Sequence, residues 1–245
     1  MRVTYVGHST VSIELDGVRV LTDPVLRGRF LHVERRAPAV DRAAIGQVDV
    51  VLISHAHHDH LDRPSLRELG AATVVAPDGA GHHVPHASRV IEVGPGSTLS
   101  FGGVQIDVTY AAHRPGRLRH QGSPALGYVL TGTRTIYFAG DTDLFPGMRE
   151  IGARGLDLAL LPVWGWGTRI GAGHLDPLRA AEALTSLRPR FAIPIHWGTF
   201  YPLGLRRLRP HLLTEPPQAF VREAARLAPD AQVRVLAPGQ SAVLP

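Results

Sequence analysis

The stretch VVLISHAHHDH, Val50–His60, constrains this chain more than any other. An apolar run of the kind that forms a strand covered on both faces stops at Ser54, and five of the next six residues are His or Asp. Charged histidines this dense repel one another, and neutral ones compete for hydrogen bonds; a metal ion among them removes both problems. In an extended segment alternate residues point the same way, so His55 and His57 can face one ion together. Asp59 and His60 stand where the chain turns towards a helix and can face a second. One ion needs about four ligands, so further donors must come from elsewhere. The candidates are polar residues that directly follow apolar strands: His113 after VTYAA, Asp141 after IYFAG and His196 after FAIPI. His120 is a rival to His113, but no apolar strand leads into it. Imidazole and carboxylate suit Zn²⁺, with manganese or iron as alternatives. The chain has no cysteine, which excludes thiolate ligands and disulfides and fits a reducing compartment.

Strands and helices alternate along the chain. Val3–Val6, Val11–Leu15 and Val18–Thr22 read as a meander turning at Asp16-Gly17. Buried strands at Asp49–Ser54 and Thr73–Ala76 flank a helix at Pro64–Leu69. Val90–Val93, Thr98–Phe101 and Val104–Tyr110 read as further antiparallel strands, followed by strands at Ala125–Thr131, Thr135–Ala139 and Leu156–Val163. A glycine-rich loop leads to a helix at Leu178–Leu187 and a strand at Phe191–Ile195. A helix at Pro217–Ala228 and strands at Val233–Ala237 and Ser241–Leu244 complete the reading. His82–His86 and Arg206–His211 read as solvated loops.

The order of elements repeats. A strand ending at Asp23 is followed by DVVLIS, HLDRPSLREL and ATVVAP; a strand ending at Asp141 is followed by DLALLP, HLDPLRAAEAL and FAIPIH. Two packed sheets with outer helices, related by a pseudo-twofold axis, would produce this pattern and place an active site between the halves. So short a match also arises by chance.

Charge and targeting signals narrow the function. The net charge is +5 and all 26 basic residues are arginine. The absence of lysine fits genome composition bias, while the basic balance favours an anionic substrate. No basic n-region precedes an apolar h-region, and no apolar run reaches the ~20 residues of a membrane span. The expectation is a cytoplasmic chain without a transmembrane segment, acting on a small anionic molecule. Gly204–His211 is the one basic patch and is short, so no nucleic-acid partner is expected. Nothing in the sequence fixes an oligomeric state.

SHAHHDHLD resembles the signature motif of the metallo-β-lactamase superfamily, YFAGDTD its bridging aspartate and PIHWGTF its last histidine. GHSTVSIELDGVRVLTDPVL and GHLDPLRAAEAL…IPIHWGTF are similar to the subgroup that includes N-acylphosphatidylethanolamine-hydrolysing phospholipase D and L-ascorbate-6-phosphate lactonase. The resemblance covers most of the chain. It implies the α/β class, as a four-layer αββα sandwich in a single domain over residues 1–245, with two divalent metal ions. His55, His57 and His113 would hold one ion, Asp59, His60 and His196 the other, and Asp141 would bridge them; His58 falls at a variable position. The implied activity is hydrolysis by a metal-activated hydroxide, with a phosphodiester slightly ahead of a lactone or ester because of the basic balance. A non-catalytic metal-binding protein and a nuclease-type phosphodiesterase are the rivals, and a β-lactamase role does not fit the subgroup.

Four further features bear on a site. Asp59 can hold the remaining proton of the attacking water as well as bind an ion. Asp23 and His8 are candidates to orient the imidazoles, with a buried, backbone-bonded His8 an equal alternative. The glycine-rich, tryptophan-bearing loop Val163–Pro177 reads as a cover over the substrate, or as packing at the sandwich edge. His174 precedes a helix start at the position of His60 in the other half of the repeat. It is expected to act on the substrate as a donor or general acid, with capping or packing as the alternative.

Overall fold

The computed structural model describes residues 1–70, 72–85, 89–113, 123–205 and 208–245. The first half opens with β1 (Arg2–Gly7), β2 (Thr10–Leu15) and β3 (Val18–Thr22). The turn between β2 and β3 places Asp16 at φ 48° and Gly17 at φ 80°, the left-handed pair that suits the twist of a tight hairpin. A short hairpin of β4 (Arg29–Phe30) and β5 (Val33–Arg35) and the single turn α1 (Arg42–Ile45) follow; none was visible in the sequence pattern. Next come β6 (Val50–Leu52), α2 (Arg63–Leu69), β7 (Thr73–Pro77) and β8 (Val90–Val93).

The second half contains β9 (Thr98–Phe101), β10 (Val104–Tyr110), β11 (Leu126–Thr131), β12 (Thr135–Phe138), α3 (Met148–Gly152), β13 (Leu158–Pro162), α4 (Pro177–Leu187) and β14 (Phe191–Ile195). It ends with β15 (Phe200–Pro202), α5 (Glu215–Leu227), β16 (Gln232–Val233) and β17 (Ser241–Val243). His86, His120, Arg206 and Arg207 lie outside the described residues. Two of the segments read as loops contain 3₁₀ turns, Gly81–His83 and Pro210–Leu213.

Two sheets of seven strands carry the fold, in the orders β17-β1-β2-β3-β6-β7-β8 and β16-β14-β13-β12-β11-β10-β9. Each contains an antiparallel meander, β1-β2-β3 or β10-β11-β12. In each, the last meander strand starts a parallel set, β3-β6-β7 or β12-β13-β14. The repeat in the sequence is therefore a repeat in topology. Its HLD elements act alike: Asp62 caps α2 by accepting from Ser65 N, and Asp176 caps α4 by accepting from Arg179 N. Each has a proline in the first turn, where its missing N–H costs nothing.

The strand expected at Val233–Ala237 is confined to Gln232–Val233, and one other strand differs from expectation in direction. Val90–Val93 pairs parallel to β7, not antiparallel. Apolar composition carries no strand direction, and a connection of about a dozen residues is long enough for a parallel crossover.

Side-chain alternation builds the layers. Val50, Leu52 and Val75 face the core between the sheets, where they join Ile106, Tyr128 and Phe138. Val51, Ile53, Val74 and Ala76 face outward against Leu66 of α2. On the far side α4 buries Ala180, Ala181, Ala183, Leu184 and Leu187 against the second sheet, with α5 packed on α4. The result is the αββα sandwich. A third sheet, β15-β5-β4, lies beside it on a cluster of Val25, Phe30, Val33 and Phe200. No helix among the described residues is long and apolar enough to cross a membrane.

The two large sheets are joined at one end. Leu126 N donates to Ser54 O (2.9 Å), His196 N to His8 O (2.7 Å), and the hydroxyls of Tyr128 and Tyr5 donate to Ile53 O and Trp197 O (2.7 Å each). The carboxyl ends of β3, β6, β12 and β14 meet there, and the candidate site lies at that junction.

Candidate metal centre

The strand ends are sharply turned. His8, Asp23 and His196 have φ values of 57°, 35° and 63°, and Gly140, just before Asp141, has 60°. Non-glycine residues occupy this region at a cost, and the packing around them must hold them there. Each turn redirects a side chain from the sheet into the space between the sheets.

All seven residues expected to bind metal come together. His55, His57 and His113 offer ligand atoms within 4.8 Å of one another. Within the same limit, Asp59, His60 and His196 group with His8, Asp141 groups with His55 and His60, and Asp141 groups again with His113 and His174. His58 is exposed and stands outside these groups.

Hydrogen bonds to the outer ring nitrogens fix the tautomers. His113 Nδ1 donates to Gly173 O (2.8 Å), His196 Nδ1 to Trp164 O (2.8 Å) and His60 Nδ1 to Asp23 Oδ2 (2.6 Å). Ser54 Oγ gives its hydrogen to Asp23 Oδ2 (2.6 Å) and so accepts from His55 Nδ1 (3.0 Å). A neutral ring protonated on its outer nitrogen carries a bare lone pair on the inner one. These inner nitrogens face each other: His55 Nε2 lies 2.8 Å from His57 Nδ1, His113 Nε2 3.3 Å from the same atom, and His60 Nε2 3.3 Å from His196 Nε2. Asp141 lies among them, with Oδ2 3.2 Å from His60 Nε2 and Oδ1 3.3 Å from His196 Nε2. Asp141 Oδ1 is buried and has no hydrogen-bond partner among the described residues. Converging lone pairs beside an orphaned buried carboxylate oxygen fit a cation, and the N and O donors fit a first-row divalent ion.

The electrostatics agree. Burial, reinforced by neighbouring imidazoles, holds His55 well below the usual histidine range and lowers His57 to about 4 and His8 to about 3. His113 is lowered mainly by burial. These rings are neutral, as metal ligands must be. Burial opposes ionisation of Asp59 and Asp141, but the imidazoles around them win and hold both carboxylates well below their usual range. His60 is raised well above its usual range because Asp141, Asp59 and Asp23 surround it and outweigh its burial. Loss of that proton leaves a lone pair on its inner nitrogen.

Behind the donors stand supporting residues, of which Ser54 was not foreseen. Asp23, fully buried, accepts from Ser54 N (2.7 Å) as well as from Ser54 Oγ and His60, so one carboxylate orients a residue in each histidine group. Asp23 was named as a candidate; Ser54, an ordinary strand-end serine by sequence, was not. The glycine-rich loop braces the site through backbone carbonyls at Trp164, Gly171 and Gly173, a role no side-chain pattern discloses. Trp166 Nε1 donates to Asp59 Oδ2 (3.0 Å) while its ring packs on the Phe30–Phe200 cluster. His8 Nε2 lies 3.1 Å from the same oxygen. His174 Nδ1 donates to Gly171 O (3.1 Å) and its Nε2 reaches to 3.4 Å from Asp141 Oδ2. Burial pulls the His174 ring down, but the Asp141 contact outweighs it and raises the ring above its usual range.

An αββα sandwich of two repeated halves, with a His/Asp cluster at the joined strand ends, defines the metallo-β-lactamase fold class. A family model described as a beta-lactamase superfamily domain matches residues 18–197. The chain belongs to that superfamily, within the family of UPF0173 metal-dependent hydrolases. A protein of that name from Opitutus terrae is 36% identical, covering 98% of this chain and 99% of the relative. Another from Methanopyrus kandleri is 34% identical with the same coverage. Among solved structures, a metallo hydrolase from the archaeon Ignicoccus hospitalis aligns with a TM-score of 0.74 at 26% identity, covering 98% of this chain and 97% of that one.

Proposed function

We propose that this chain, acting as one domain, is a two-metal hydrolase of a phosphodiester, or of a lactone or ester, on a small anionic molecule. The observation that carries this reading is the convergence of inward nitrogens on both sides of Asp141. His55, His57 and His113 would hold one ion, Asp59, His60 and His196 the other, and Asp141 would serve both; zinc suits the donors best. Divalent ions in such a site lower the pKa of water and neutralise charge that develops on the attacked oxygen.

The chain's own residues supply the remainder. Asp59 Oδ2 accepts from His8 and Trp166, which would fix the carboxylate both to bind its ion and to hold the remaining proton of the attacking water by a hydrogen bond. His174 is held by Gly171 O through Nδ1 and presents Nε2 to the cleft beside Asp141. Its raised pKa favours the protonated ring, which would offer a proton to the leaving group or a charge to the developing anion. The loop Val163–Pro177 borders this space with Trp164 and Trp166, which fits a cover that excludes water. The net charge of +5 supports an anionic substrate and places a phosphodiester ahead.

The test is a hydrolysis panel on zinc-loaded protein: chromogenic phosphodiesters, phosphomonoesters, lactones and a cephalosporin, with Asp141→Ala as control. Turnover of a diester or lactone that disappears in the variant is expected, with none on the cephalosporin. No turnover of any substrate by ion-loaded protein would favour a binding role instead.

A further inference from the structure

His8 has more contacts in the centre than a packing residue needs, and its described contacts there fall on one side. It is 1% exposed and stands at φ 57°. Its backbone is held at both ends: N donates to Thr199 Oγ1 (2.6 Å), and O accepts from His196 N (2.7 Å). The preceding Gly7 permits this, since a β-carbon there would lie 2.8 Å from the Thr199 side chain. The His8 ring lies on that of His196 with centroids 3.9 Å apart and planes at 34°. Its Nε2 meets Asp59 Oδ2 at 3.1 Å. A carboxylate oxygen accepts, so this bond is an N–H donated by His8 to Asp59. One side chain thus fixes Asp59 by a hydrogen bond and His196 by stacking, while its carbonyl fixes the His196 backbone.

We infer that His8 is a positioning residue for only one of the two ion positions, the one at Asp59, His60 and His196. The inference rests on the two-ion reading above. The described contacts of His8 do not reach His55, His57 or His113, which are held through Ser54 and Gly173. Asp23 and Ser54 serve both groups, but His8 touches only one, so that a change at His8 can weaken one ion while the other stays.

The test is a stepwise zinc titration of the full chain against a competing chelator, with circular dichroism to monitor the fold. His8→Gln keeps an N–H donor near the Nε2 position. His8→Asn accepts the left-handed backbone but is too short to reach Asp59. The wild type and His8→Gln should each bind two ions with similar affinities. His8→Asn should weaken one ion roughly 10–100-fold, the usual effect of losing such an outer support, and leave the other unchanged. His57→Ala should lose the opposite ion, so the double variant His8→Asn/His57→Ala should hold neither tightly. Two tight ions in His8→Asn, equal weakening of both, or one tight ion in the double variant would overturn the inference. If His8→Gln behaved like His8→Asn, His8 would be a ligand rather than a support, which also overturns it. Should His8→Asn not fold, His8→Gln decides: retention of both ions supports the donor role and loss of one overturns it. A wild type that saturates at a single ion would overturn the two-ion reading as well, whereas two ions in both the wild type and His8→Asn would remove this inference alone.

Discussion

Gly140→Ala tests how tightly the centre is built into the sheet junction. Gly140 has φ 60°, and a β-carbon there would lie 2.5 Å from Ser54 Cβ and 2.8 Å from the Leu126 carbonyl oxygen. The left-handed backbone costs an alanine about 1–2 kcal/mol. The overlap adds about 1–3 kcal/mol, because neither a β-carbon nor a backbone oxygen can rotate away. The sum is about 2–5 kcal/mol, or a fall in Tm of about 4–20 °C for a chain of this size. Ser54 would shift and disturb its bonds to Asp23 and His55, so ion affinity should fall as well. Gly155→Ala is the control: its φ is 74°, but nothing among the described residues lies within 4 Å of the added carbon, so it should show the backbone cost alone. Thermal unfolding by circular dichroism, with chelator present, separates folding from metal binding. Equal Tm values for the two variants would refute the steric argument.

Other outcomes follow from the same geometry. Asp141→Ala should lose metal and turnover, whereas His58→Ala should keep both; equivalent behaviour in elemental analysis would mean the ligand assignment is wrong. His174→Ala should retain its ions and fold yet lose roughly 10²–10³ in kcat; lost metal would make it a ligand, and an unchanged rate would leave it a packing residue. His60 holds its proton above the usual histidine range, and that proton must leave before the ring binds metal. Affinity at that position should therefore fall roughly tenfold for each unit of pH lowered through the neutral range. The position at His55, His57 and His113, whose pKa values are lowered, should be nearly flat there. Chelator competition at several pH values reads both, and identical slopes would contradict this assignment of protons.

Much of this arrangement was legible in the sequence because strand-end polar residues stand out against apolar runs. His55, His113, Asp141 and His196 each end a run of that kind, and the two HLD segments marked equivalent helix starts that both carry aspartate caps. What stayed hidden depends on non-local pairing or on atoms shared by every residue. The β4-β5-β15 sheet unites Arg29–Arg35 with Phe200–Pro202, pieces too short for periodicity to show. The carbonyls of Trp164, Gly171 and Gly173 have no sequence signature at all. Strand direction at Val90–Val93 was lost for a related reason, since a run of apolar residues reads the same in either sense.

The most direct test of a two-ion hydrolytic centre is the rate of hydrolysis followed as zinc is added in known equivalents to metal-free protein, using the substrate found in the panel. With both positions required, the rate should stay low up to one equivalent when the first ion fills a single position, and reach its plateau at two. A full plateau at one equivalent, or turnover unaffected by removing the metal, would contradict it.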